Sequence, residues 1–208
     1  MFAERVHEAS THLPLLQAGC LILKYNAAGK AAERWFKVSP DGTELCWGKV
    51  DASGRALKSG LFNRKKKFPL ADVTRLRYGA SATARFAKYN LSPKSKPWMA
   101  WSVSFPDKVL DLVSLSEEGA ARWFAGVQAL APLSTGYLSR AGLLWRRAAM
   151  KVRYYSLWQN ISPEIFVDDL LQAARHDVAD GVERLPASPV VHLLDTQIAA
   201  MPEEKNRK

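Results

Sequence analysis

Short runs of apolar, β-branched and aromatic residues, separated by turn-forming clusters, dominate the first two thirds of the chain. Cys20–Tyr25 (CLILKY), Arg34–Val38 (RWFKV) and Glu44–Lys49 (ELCWGK) each read as a strand. Asn26–Lys30 (NAAGK) and Ser39–Gly42 (SPDG) read as the turns between them, because Asn, Asp, Pro and Gly supply the tight backbone geometry. A long polar loop with Gly54 and Gly60 runs from Asp51 to about Lys67. Phe68–Leu70 continued by Val73–Tyr78 predicts a fourth strand, and Thr83–Tyr89 a fifth. Met99–Phe105 predicts a sixth and Val109–Val113 a seventh.

The period then changes to 3.6. Ser116 is a helix N-cap, with Glu117 and Glu118 at the positive end of the helix dipole. Ala120, Trp123, Val127 and Leu130, with Phe124 beside them, form one apolar face, and Pro132 ends the helix. A single amphipathic helix after many strands predicts a cap over the open end of a curved sheet. Residues 1–18 carry a weaker helical pattern, with Val6, Ala9 and Leu13 on one side, broken at Pro14. Leu138–Gln159 predicts a further amphipathic helix whose apolar face is Ala141, Leu144, Trp145, Ala148, Val152 and Tyr155. Ser162 as N-cap and Pro163 at the first helical position open another, with Ile165, Phe166, Leu170, Leu171 and Ala174 on its apolar side, ending near Gly181. Ser188-Pro189 opens a short helix over Val190–Met201. The division expected is a lead-in over residues 1–16, a strand-rich domain over 17–132, a helical extension over 133–201 and a disordered tail over 202–208.

Charge sharpens this division. The net charge of +10 lies entirely in residues 19–130, with 19 Lys/Arg against 9 Asp/Glu. A basic domain of this kind attracts an anionic surface: a lipid bilayer, nucleic acid or an acidic protein. No apolar run approaches the roughly 20 residues needed to span a bilayer. Glu4, His7 and Glu8 stand where a secretory leader has a basic start and an apolar block, so a cytoplasmic chain is expected. Cys20 and Cys46 fall in apolar strand-like runs and read as small buried side chains.

Several separate blocks resemble one family. Leu23-Lys24-Tyr25 with Gly29-Lys30, then Arg34-Trp35-Phe36-Lys37-Val38-Ser39-Pro40-Asp41 with Leu45 and Trp47, resemble the opening strands of the pleckstrin homology domain. Thr83 and Phe86, Leu110-Asp111-Leu112, and Trp123-Phe124-Ala125-Gly126 with Ala129-Leu130 continue the likeness in order, and together they look like the plant phospholipase C-like subfamily over about residues 17–131. The resemblance implies an α+β fold: a seven-stranded barrel or sandwich capped by a C-terminal helix, here followed by a helical extension.

In lipid-binding relatives, basic side chains at the end of the first strand and the start of the second face the phosphates of an inositol headgroup. That resemblance nominates Lys24, Lys30 and Arg34, with Lys37 and Lys49 as neighbours; Ala32 stands where the motif has a second basic residue, and Glu33 follows it. Clustered phosphates need charge-assisted donors held on rigid strands. The loop block Arg64-Lys65-Lys66-Lys67 supplies a second, non-specific anion patch, with interleaved stacking aromatics absent, which argues against nucleic acid. Arg85, Lys88, Lys94 and Lys96 form a third basic group. The apolar helix face Leu144, Trp145, Ala148, Val152 and Tyr155 is the candidate protein-binding surface. His7, His12, His176 and His192 are scattered without metal-ligand spacing, and no nucleophile, P-loop or paired-carboxylate motif occurs, so neither cofactor nor metal is expected. The expectation is a non-enzymatic adaptor docking to a protein partner in a larger cytoskeletal or ciliary assembly. The alternative is a peripheral membrane protein recruited by phosphoinositides or anionic lipid.

Overall fold

A computed structural model describes residues 2–51, 53–56, 66–79, 96–133, 137–179 and 189–201. The predicted strand Thr83–Tyr89, most of the loop before Lys66 and the tail 202–208 lie outside the described residues. The chain divides into two compact units, Met1–Arg140 and Ala141–Lys208.

Among its described residues the first unit holds a helix α1 (Phe2–Ala18), seven strands and a second helix α2 (Glu117–Leu130). The strands are β1 (Cys20–Tyr25), β2 (Ala31–Val38), β3 (Glu44–Gly48), β4 (Lys66–Pro69), β5 (Arg75–Tyr78), β6 (Ala100–Phe105) and β7 (Lys108–Ser114). All described pairings are antiparallel, in the order β4-β3-β2-β1-β7-β6-β5. The run predicted as one fourth strand is therefore two, on opposite edges of the sheet. Pro69 has no N–H to continue a ladder, and the Leu70 carbonyl accepts the Val73 N–H at 3.2 Å in a tight 3-10 turn over Leu70–Asp72.

That turn dictates the shape. Seven strands laid flat would set the two edges about 29 Å apart. The six steps from Pro69 to Arg75 reach at most about 22 Å. The sheet must curl until its edges approach. An aromatic series closes the seam: Phe36 stacks on Trp47 at 5.6 Å, Trp47 on Phe68 at 5.0 Å, and Phe68 reaches Phe105 across the gap at 4.9 Å.

The α2 helix caps one end of this barrel. The Ser116 hydroxyl accepts the Gly119 N–H at 3.0 Å, as its position predicts. Trp123 stacks on Trp101 at 6.4 Å, and Phe124 meets Tyr78 edge-on at 5.3 Å. The α1 helix does not break at Pro14 but runs on to Ala18. Its packing outweighs the hydrogen bond the proline removes, because Leu16 is wholly buried in the core at the close approach to Gly126 of α2. Buried Gln128 holds the exit of the unit: its amide donates to the Leu138 carbonyl at 2.9 Å and accepts the Leu138 N–H at 2.8 Å. Cys46 is buried and Cys20 half-buried, and burial pushes the Cys20 thiol up to about 11.

The second unit has three described helices: α3 (Arg140–Gln159), α4 (Pro163–Ala179) and α5 (Pro189–Ala199). Asn160, at φ 56°, turns the chain between α3 and α4, and the Ser162 hydroxyl accepts the Ile165 N–H at 3.3 Å. Phe166, Leu170, Leu194 and Ile198 are buried, and Tyr155 stacks on Phe166 at 4.3 Å.

Candidate functional site

Strand register sorts the basic residues into two sets. Successive side chains on a strand point to opposite faces, so one face holds every second residue. Ile22, Phe36, Leu45, Trp47, Leu110, Leu112, Trp101 and Val103 share the core-facing register and are all buried. Continuing that register away from α2 leads to Lys24 on β1, Arg34 on β2, Lys66 on β4 and Lys108 on β7. Each lies where the core face runs out at the uncapped end of the barrel. Apolar residues fill the barrel, and four cations ring its mouth.

Lys24 feels the other three. Burial pushes the Lys24 ammonium below the usual lysine range, and the charges of Lys108, Arg34 and Lys66 push it the same way, with Asp111 partly opposing. Lys108 sits over the seam aromatics, 5.4 Å from the Phe68 ring and 5.8 Å from the Trp47 ring. The Arg34 Nη1 donates to the Glu33 carbonyl at 2.7 Å, which fixes its side chain along the strand. Glu33 itself takes the opposite register, across from Leu23, and is exposed on the outer face. The acid beside Arg34 in sequence is thus not beside it in the mouth. Ala32, across from Lys24, leaves the small side of that opening.

The remaining candidates go elsewhere. Lys30 is exposed at the foot of the first turn, where its N–H donates to Asn26 Oδ1 at 3.0 Å. Lys37 and Lys67 both lie opposite Cys46 on the outer register. Lys67 is paired with Glu44 at 2.8 Å, and that hydrogen bond and charge raise its pKa. Exposed Lys49 follows β3. Arg64 and Lys65, like Arg85, Lys88 and Lys94, lie outside the described residues; Lys96 stands 5.9 Å from the Trp98 ring. On α3 the predicted face divides. Ala148 is buried, Leu144, Val152 and Tyr155 are half-buried, and Trp145 is exposed. Lys108 escaped the sequence reading, although the alternation Lys108, Leu110, Leu112, Ser114 already put it on the core-facing side.

A sequence profile of the pleckstrin homology domain matches residues 9–132. The chain belongs to this family. The match takes in the C-terminal half of α1 as well as the strands and α2. No curated protein matches the chain in sequence. Solved structures similar to it include inner membrane complex sub-compartment protein 3 from Toxoplasma gondii, at 9% identity over 60% of this chain and 82% of that one, with a TM-score of 0.39. The N-terminal pleckstrin homology domain of human ARAP2 is similar at 11% identity over 58% of this chain and 86% of that one, with a TM-score of 0.39. PLC21 of S. officinalis is similar at 18% identity over 66% of this chain but 18% of that one, with a TM-score of 0.42. Among the described residues, no group of three or more His, Cys, Asp or Glu side chains could hold a metal ion, and no helix is long and apolar enough to cross a membrane. Pleckstrin homology domains bind lipids or proteins, and in this one the concentrated chemistry is the cationic mouth.

Proposed function

We propose that this chain is a non-enzymatic peripheral membrane module that takes a phosphorylated lipid headgroup in the mouth of its barrel. One observation carries the reading: Lys24, Arg34, Lys66 and Lys108 converge from four strands, and their mutual repulsion is relieved by an anion. Burial first, and then the neighbouring cations, hold the Lys24 ammonium below the usual lysine range, and a partly desolvated cationic cluster favours a ligand of opposite charge. The rigid strands supply preorganisation, and Arg34 supplies a planar fork for phosphate oxygens. The adaptor reading, with a protein partner in a cytoskeletal or ciliary assembly, rests on the apolar face of α3. Part of that face is spent inside the helical unit, where Tyr155 stacks on Phe166, so the mouth supports the lipid reading more directly.

Co-sedimentation with vesicles carrying a panel of phosphoinositides tests it. Lys24→Ala, Arg34→Ala and Lys108→Ala each lose about tenfold in affinity, as the loss of a charge-assisted hydrogen bond requires. Lys37→Ala, on the outer face, leaves specific binding unchanged. Equal losses in all four variants, or no headgroup preference in the wild type, reject a site in the mouth.

A further inference from the structure

The α3 helix presents a second surface. Trp145, Ala149, Arg153 and Leu157 recur at four-residue spacing and occupy an arc about 120° wide. All four are exposed, as is Arg146 beside them. Trp145 is 65% and Leu157 82% exposed, high values for large apolar side chains. Leu143, Ala148 and Lys151 are buried in the same helix and lie outside this arc; Ser156, also buried, projects inside it between Trp145 and Ala149. We propose that this stripe is an interfacial lipid contact that lies on an anionic bilayer, independent of any headgroup in the barrel mouth.

Charge and shape select the occupant. Residues 131–163 contain five Lys/Arg and no Asp or Glu. The one buried cation of the five, Lys151, is already paired with Asp195 at 2.5 Å. The outward charge of the helix is therefore positive throughout, and two copies brought face to face would repel. A single convex helix face offers no groove for a ligand, but it matches a flat lipid surface. There a tryptophan at one end settles among the headgroups, a leucine at the other enters the acyl boundary, and the arginines between them reach phosphate. One such element binds weakly alone. Joined in one chain to a second bilayer-binding site, it acts at an effective concentration on the order of millimolar.

The test uses the full chain and vesicles of phosphatidylcholine with phosphatidylserine, without phosphoinositide. Wild type adsorbs at low salt and not to phosphatidylcholine alone. Arg146→Ala with Arg153→Ala lowers the partition coefficient about 25-fold. The equal-charge control Lys30→Ala with Lys37→Ala lowers it far less. Leu157→Asp lowers it about tenfold. Brominated acyl chains quench a fluorescence component that disappears in Trp145→Phe and persists in Trp158→Phe. Soluble inositol phosphate binding, measured by calorimetry, is the same in the stripe variants as in wild type, which also shows that they fold. Stripe variants that partition like wild type overturn the proposal. So do absence of quenching at Trp145 and a stripe-dependent change of oligomeric state in light scattering. If inositol phosphate fails to bind while the stripe variants still lose adsorption, the headgroup reading falls and this inference stands.

Discussion

Leu16 of α1 occupies the space a side chain on Gly126 of α2 would need: a Cβ at Gly126 would meet Leu16 Cδ1 at 2.5 Å and His12 Cβ at 3.0 Å. The two helices pack at a distance that only glycine permits. Gly126→Val therefore overpacks the contact and costs about 1–3 kcal/mol of stability. Gly126→Val combined with Leu16→Ala costs less than the sum of the two single changes, because the cavity accepts the new methyl groups. Urea unfolding of the four proteins measures the coupling. Strict additivity would mean that the helices do not meet there.

Phe68 on the edge strand β4 bridges the seam, with Trp47 of β3 on one side and Phe105 of β6 on the other. Phe68→Ala removes both ring contacts and the perch of Lys108. The expected loss is about 2–4 kcal/mol in denaturant unfolding, at the lower end of phenylalanine truncations because Phe68 is half-buried. Phe68→Leu, which keeps apolar volume, recovers more than half of it.

The chain's local signals announce these elements unequally. Ser116 with Glu117 and Glu118, and Ser162 with Pro163, mark helix starts within a residue of where they occur, because capping is local chemistry. The runs at Cys20–Tyr25, Arg34–Val38, Glu44–Lys49, Met99–Phe105 and Val109–Val113 each have a strand as counterpart, whereas Thr83–Tyr89 lies outside the described residues. The split of Phe68–Tyr78 was not legible, since Pro69 can end one strand or sit at the edge of a longer one, and only closure of the barrel decides. Pro14 misled in the same way, because burial of Leu16 is a tertiary fact. The mouth was half legible. Lys24 and Arg34 followed from the resemblance, whereas Lys108 and Lys66 join them only through strand order, which no periodicity encodes.

Lys24 gives the mouth a pH signature. Its folded-state pKa lies below the ordinary 10.5, first through burial and then through Lys108, Arg34 and Lys66. Below both values the ammonium is charged in folded and unfolded chains alike, and the repulsion destabilises the fold. As pH climbs through the lowered value toward 10.5, the unfolded chain holds more protons and stability rises. Lys24→Met thus stabilises the free protein at neutral pH, by no more than about 1 kcal/mol because the group is partly solvated, and the gain vanishes in strong alkali. Headgroup affinity runs the other way, weakening as Lys24 deprotonates, with proton uptake on binding in that window. Calorimetry in buffers of different ionisation enthalpy reads the uptake. Its absence, with an unchanged affinity profile in Lys24→Met, would remove Lys24 from the site.

In the helical unit, Lys151 on α3 is 3% exposed and its ammonium meets Asp195 of α5 at 2.5 Å, while the Asp195 side chain is 43% exposed. The two partners are therefore not equivalent. Asp195→Ala leaves a buried ammonium without its carboxylate and costs about 1–3 kcal/mol, less than for a fully buried pair because water reaches the vacated carboxylate side. Lys151→Met keeps the volume and removes the charge that had to be desolvated, so it is neutral or stabilising, and Asp195 simply turns to solvent. Loss of helical circular dichroism in urea measures both. The same pair bears on the membrane stripe. Lys151 lies outside the stripe, so Lys151→Met leaves adsorption to phosphatidylserine vesicles intact even though it removes one of the five positive charges. Adsorption that falls with Lys151→Met as it does with Arg153→Ala would mean that total charge, and not the exposed face of α3, holds the helix to the bilayer.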